Sequence, residues 1–131
     1  RIYCWDADDS LDPWKHNATY LPPNMNQLTM LDHEMGFWIN ITEPGVTLTV
    51  RGTIPTSTSI FLHSGWNLVG YPTRTTETVA NALVGTGADL VETFNESSPY
   101  MIESVDATYL MKPGEGYWIH VPADVVWVVD W

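Results

Sequence analysis

Cysteine is almost missing from this chain of 131 residues, with Cys4 the only one. No intrachain disulfide can form, and no zinc site built on several thiolates is available. Cys4 lies in an apolar strand pattern, where a buried and inert thiol is expected. Basic residues are nearly as scarce: five Lys and Arg stand against sixteen Asp and Glu, a formal net charge of −11. A polyanion needs a basic face, so no nucleic acid partner is expected. An anionic membrane surface is disfavoured for the same reason. Long apolar runs are lacking too, so no membrane insertion is expected. No signal peptide precedes the strand-like Ile2-Tyr3-Cys4-Trp5, and Arg1 is read as a boundary inside a longer chain.

The usual signatures of catalysis are also missing. There is no Gly-x-Ser-x-Gly elbow, phosphate loop, paired-His zinc motif or nucleophilic cysteine context. His33-Glu34 lacks a second His at the required spacing, and His16, His33, His63 and His120 are scattered. Each reads as a solvated or hydrogen-bonded histidine. No catalytic residue is predicted, and the chain is expected not to be an enzyme.

What is present is aromatic and β-branched. Hydrophobic residues make up 44%, including seven Trp and six Tyr, ample material for a core. Ile2–Trp5, Phe37–Ile41, Leu90–Asn95, Tyr117–Val121 and Val125–Val129 read as strands, and Ser64–Pro72 as a turn followed by a strand that Pro72 ends. Val46–Val50 alternates cleanly and reads as the hairpin partner of Phe37–Ile41 across a Glu43-Pro44-Gly45 turn. Leu28–Leu31 reads as a short strand or extended piece, and Pro13-Trp14 with the polar segment through Thr19 as loop. One helix is predicted, near residues 78–84, ended by Gly85 and Gly87. The predicted class is all-β, mainly antiparallel, sandwich- or barrel-like.

An internal repeat underlies that class. Gly36-Phe37-Trp38-Ile39-Asn40-Ile41 returns as Gly116-Tyr117-Trp118-Ile119-His120-Val121. Each Gly is expected to supply a turn of positive φ before its strand. On the same alignment Trp5-Asp6 falls on Phe94-Asn95, Pro13-Trp14 on Pro99-Tyr100, and Val46–Val50 on Val125–Val129. The predicted unit is therefore a duplicated hairpin. Residues 1–53 form a first, partial copy and 54–131 a second, more complete one, packed as one or two small β domains.

Gly65-Trp66-Asn67-Leu68-Val69-Gly70-Tyr71-Pro72, followed by Pro113-Gly114-Glu115-Gly116-Tyr117-Trp118-Ile119, resembles the tandem GWNLVG…PGxGYWI β repeats of secreted archaeal and bacterial cell-surface proteins. The resemblance implies extracellular display at the cell surface, within or between modules of a large protein. It brings no catalytic residues.

Three features are candidates for sites. Asp6, Asp8, Ser10 and Asp12 place oxygens at alternate loop positions, the spacing by which a calcium loop wraps a hard cation. The loop departs from the EF-hand: no Gly stands sixth, and Asn17 replaces the bidentate Glu. Ca²⁺ is the one candidate cofactor, weighed against a plain solvated acidic loop. Asn17, Asn40 and Asn95 head glycosylation sequons. Trp38, Trp66 and Trp118 lie in the repeat signatures and are expected in the core. Trp14, Trp127 and Trp131 are expected to be exposed and to meet a ligand or a neighbouring module.

The expected function is that of a non-enzymatic structural or adhesion module, serving spacing, display, or lattice or filament assembly. Its partners would be other copies or neighbouring modules of a surface protein. The alternative is a carbohydrate-binding module using exposed Trp, with Ca²⁺. A third reading is an accessory domain of a hydrolase.

Overall fold

The computed structural model describes residues 1–47, 49 and 51–131. Among them the chain forms eleven strands and one four-residue α-helix, with every strand pair antiparallel. In chain order the strands are β1 Ile2–Trp5, β2 Trp14–Asn17, β3 Phe37–Ile39, β4 Ser57–Leu62, β5 Gly65–Gly70 and β6 Glu77–Thr78. After helix α1, Val79–Ala82, come β7 Leu90–Phe94, β8 Ile102–Val105, β9 Leu110–Met111, β10 Gly116–Val121 and β11 Val125–Asp130. They make a three-stranded sheet ordered β2-β1-β3, a four-stranded sheet β5-β10-β7-β8, and two pairs, β11-β4 and β6-β9.

The core follows from alternation. Ile60 and Leu62 of β4, Tyr117, Ile119 and Val121 of β10, and Trp127 and Val129 of β11 point inward and are buried. Val69, Tyr71, Val79, Leu83, Val91 and Met111 complete the cluster. Trp127 stacks on Tyr71 with ring centroids 5.9 Å apart. Its indole N–H donates to the Ala82 carbonyl at 2.6 Å, satisfying an acceptor at the end of α1. At the other end of α1 the Thr78 hydroxyl accepts from the Asn81 N–H.

The expected link from β10 to β11 is corrected. The two do not pair as a hairpin: β10 lies between β5 and β7, while β11 pairs with β4. β4–β5 and β10–β11 are two chains that run side by side and bend together at a corner. His63 and Ser64 make the bend on one chain and Pro122–Asp124 on the other, one residue more, as at a β-bulge. Trp127 and Val129 beyond the bend and Tyr117 and Ile119 before it belong to one buried cluster. The corner is fastened by Ser64, whose N–H donates to Asp124 Oδ1 at 2.7 Å and whose hydroxyl donates to the Pro122 carbonyl at 3.1 Å. Asn67, buried in β5, accepts from the His63 N–H at 2.9 Å and donates to the His63 carbonyl at 2.8 Å.

Of two edge strands, β2 was expected to be loop, and β8 was not foreseen from the sequence. Their sequences, Trp-Lys-His-Asn and Ile-Glu-Ser-Val, carry no clean apolar alternation, because each lies at a sheet edge with a wet face. Leu28–Leu31 forms no strand. Val46–Val50 includes Leu48 and Val50, which lie outside the described residues; Val46, Thr47 and Thr49 belong to no strand.

Pairing registers match across the two larger sheets. Cys4 stands opposite Phe37 in β1-β3, and Thr93 stands opposite Tyr117 in β7-β10. In each case the central strand pairs on its other side with an edge strand, β2 or β8. The sheets join where Met35 bridges Val69 and the Gly36 N–H donates to the Leu68 carbonyl.

Candidate functional site

Antiparallel pairing sorts the three-stranded sheet into two faces. Tyr3 opposes Trp38 and His16, and Trp5 opposes Trp14, so these five residues share one face, with Asn40 two residues beyond Trp38. The strand ladder extends to Asn40: its N–H donates to the Arg1 carbonyl at 2.9 Å, and the Arg1 amino group donates back at 3.0 Å. The opposite face carries Cys4, which is 1% exposed; burial pushes its thiol pKa up, and the thiol is protonated and shielded.

The aromatic face packs on the outer face of the four-stranded sheet. Trp118 of β10 meets Trp5 and Trp14 edge-on, at centroid distances of 5.5 and 5.7 Å, and Trp66 at 6.4 Å. The Trp5 indole N–H donates to the Trp66 carbonyl at 3.1 Å. The Trp118 indole N–H is buried and has no nitrogen or oxygen acceptor among the described residues. Its surroundings are aromatic rings, whose electron-rich faces are its available acceptors. Beside this cluster lies an open groove of about 720 Å³, lined by Tyr3, Trp14, Trp38, Asn40, Phe94 and Met101 among others. Phe94 meets Trp38 edge-on at 5.4 Å.

The structure redistributes the tryptophans. Trp14 is exposed, as expected, and lines the groove. Trp127 was expected to be exposed and is 2% exposed, because the alternation of β11 turns it inward while Val126 and Val128 face out. Trp131 is half-buried, its indole N–H donating to the Thr58 hydroxyl at 2.7 Å. Trp38, Trp66 and Trp118, expected in the core, are half-buried and belong to the seam between sheets. Tyr3, Phe94 and Met101 escaped sequence reasoning: Tyr3 reaches Trp38 through the pairing of β1 with β3, and Phe94 and Met101 line the same groove from the side of the other sheet.

The acidic loop sends its carboxylates to separate tasks. Asp6 Oδ1 accepts from the Asp8 N–H at 3.1 Å. Asp9, between the named positions, accepts from the Leu11 and Asp12 N–H groups and from Lys15 Nζ at 2.6 Å. The Lys15 bond holds the Asp9 carboxyl below its ordinary pKa. Asp12 Oδ2 accepts from Gln27 Nε2 at 2.6 Å, and Asp8 Oδ1 lies 2.8 Å from His63 Nε2. Ser10 joins none of these bonds. Among the described residues no three His, Cys, Asp or Glu side chains are grouped to hold a metal ion. A second groove, about 710 Å³, runs between this loop and β4–β5, with Lys15, Glu34 and His63 on its wall.

His120 is also paired, its Nδ1 lying 2.6 Å from Asp89 Oδ1, and that bond lowers the Asp89 pKa. The three sequon asparagines differ. The Asn17 amide donates to the Leu28 carbonyl at 2.9 Å, and the Asn95 amide donates to Glu103 Oε2 at 2.6 Å. Asn95 Oδ1 also accepts from the Ser97 N–H. Asn40 is exposed, and its side chain bonds to nothing among the described residues. Comparison with protein-family models, with curated proteins and with solved structures returned no match.

Proposed function

We propose that this chain is a non-enzymatic structural or adhesion module of a secreted or cell-surface protein, built from two copies of one strand unit. The observation that carries the reading is the β4-β11 pair. Neither strand has a second neighbouring strand among the described residues, so both edges offer free N–H and C=O groups. Its outer face carries an apolar cluster at one end: Phe61, Val126 and Val128 are 50%, 52% and 58% exposed, beside Ser57, Ser59 and Asp130. An open strand pair with an exposed apolar cluster, in an acidic module, is suited to pairing with a neighbouring copy by strand addition. The duplication is supported by the shared register, Cys4 against Phe37 and Thr93 against Tyr117. The Lys15–Asp9 and His120–Asp89 contacts support a scaffold too, since each joins a loop carboxylate to a strand.

The test is self-association of the full chain, followed by sedimentation velocity over a concentration series. Reversible assembly is expected, and Phe61→Lys with Val126→Lys should abolish it while leaving the β-sheet spectrum intact. A chain that stays monomeric at every concentration would sink the assembly reading.

The aromatic groove favours a second reading, a carbohydrate-binding module. Tyr3, Trp14 and Trp38 give it flat apolar rings of the kind that cover the C–H face of a sugar. Saturable quenching of tryptophan fluorescence by oligosaccharides, lost in Trp14→Ala, is the expected result.

A further inference from the structure

We infer that Asn40 is the preferred N-glycosylation site of this chain, and that the first sugars of its glycan lie along the aromatic groove and cover it. The inference rests on the cell-surface reading, because the modifying machinery acts outside the cytoplasm.

The chemistry requires a free amide. In transfer from a lipid-phosphate-activated oligosaccharide, Asn Nδ2 forms a bond to sugar C1 while the C1–O bond to the phosphate breaks. The lipid phosphate leaves with the electron pair, and the amide nitrogen gives up one proton. An amide already donating to a neighbour must first surrender that bond. Asn17 is tied to Leu28 and Asn95 to Glu103, at 2.9 and 2.6 Å. Asn40 is exposed and unbonded among the described residues, with Ile41 and Thr42 completing its sequon.

Geometry then directs the glycan. Residues two apart on a strand face the same side, about 7 Å apart. The ladder bonds between Arg1 and Asn40 keep the chain extended through Trp38, Ile39 and Asn40. The first sugar on Asn40 is therefore delivered beside the Trp38 ring, with Tyr3 opposite Trp38 on β1 and Trp14 on the same face. The groove, at about 720 Å³, has room for two or three sugars, and Asn40 is part of its wall. Exposed apolar surface on a module of net charge −11 is thus shielded by a neutral, hydrated cover without using a protein partner.

The test uses the protein isolated from its native cells, after protease treatment of intact cells establishes whether it is surface-exposed. Glycopeptide mass spectrometry then reads occupancy at Asn17, Asn40 and Asn95. The expected result is a surface-exposed chain with Asn40 occupied at least severalfold more than Asn17 or Asn95. Proton NMR of the glycoprotein should show the first sugar's resonances shifted upfield by the rings. That shift should vanish in Trp38→Leu while the glycan mass is retained, and Thr42→Ala should lose one glycan mass without loss of fold. A surface-exposed chain with Asn40 empty overturns the inference and leaves the surface reading standing. So does an occupied Asn40 whose sugar resonances are unshifted, or a glycosylated chain whose groove still binds free oligosaccharide. A chain shielded from protease and bare at all three sequons removes both readings together.

Discussion

Gly36 and Gly116 meet back to back: a Cβ placed on Gly116 would stand 3.4 Å from the Gly36 Cα. These are the matched glycines of the two aromatic strands, and neither has the positive φ expected of a turn. Their missing side chains serve close approach. A Cβ on Gly36 would stand 2.8 Å from both the N and O of Val69, in the segment where the two sheets join.

Gly36→Ala is therefore expected to push the sheets apart, destabilising the fold by about 1–3 kcal/mol. Gly116→Ala meets its nearest neighbour at ordinary contact distance and should cost clearly less. Urea unfolding of both variants reads the order. Equal losses would mean that close approach at Gly36 is not what sets the cost, and a gain in Gly116→Ala would reflect the reduced entropy of the unfolded chain.

Asn67 is the polar residue of the Gly-Trp-Asn-Leu-Val-Gly stretch, and it is buried. Its side chain bonds both backbone groups of His63 and reaches the Gly65 and Ile119 carbonyls at 3.2 and 3.4 Å. Asn67→Leu leaves those groups dry and unpaired at the corner, which should cost about 2–4 kcal/mol. Asn67→Asp keeps the acceptor and loses the donor, adding a buried charge, and should be no milder. Thermal unfolding by circular dichroism tests both.

Trp127 separates packing from hydrogen bonding. Trp127→Phe removes the bond to the Ala82 carbonyl and should cost about 1–3 kcal/mol. Trp127→Ala also opens a cavity beside Tyr71 and should cost about 3–5 kcal/mol. Loss of the Tyr71–Trp127 stack would appear in the near-ultraviolet spectrum of the alanine variant first. Similar values for the two variants would show that the hydrogen bond dominates.

The strands at the centre of the fold were legible because their side chains obey one rule at a time. β10 alternates buried and open positions strictly, so periodicity finds it, whereas β4 alternates as strictly but begins in Ser-Thr-Ser, which reads as connector. The short helix was legible from Val79, Ala80 and Ala82 followed by Gly85 and Gly87. β2 and β8 were not, because edge strands have one solvated face and one free rim, and their composition resembles loop. The exposure of Trp127 was misjudged, because its position along β11 decides its face and turns it inward. The groove was illegible for a different reason: it depends on which strands pair. Tyr3 reaches Trp38 only through the register of β1 with β3. The Asn40 sequon was visible in the sequence, whereas the tied amides of Asn17 and Asn95 appear only in three dimensions.

Acid should loosen the module through two exposed carboxylates. The hydrogen bond from Lys15 lowers the Asp9 pKa, and the hydrogen bond with His120 lowers that of Asp89. Each folded-state value lies below the unfolded one, so protonation is harder in the folded chain than in the unfolded chain. Their stabilising contribution is thus fully present above the ordinary carboxylate pKa of about 4, and it is lost as pH falls through the depressed folded values. The melting temperature should decline as the solution is taken from about pH 6 to about pH 2, and the decline should be shallower in Asp9→Asn combined with Asp89→Asn. Lys15→Met should flatten the same limb by removing the donor that depresses Asp9. High salt should flatten it too, because both pairs face solvent. An acid limb of unchanged slope in the double variant would assign the acid sensitivity to other carboxylates, with Asp106, lowered by its bonds to Thr108, next to be replaced.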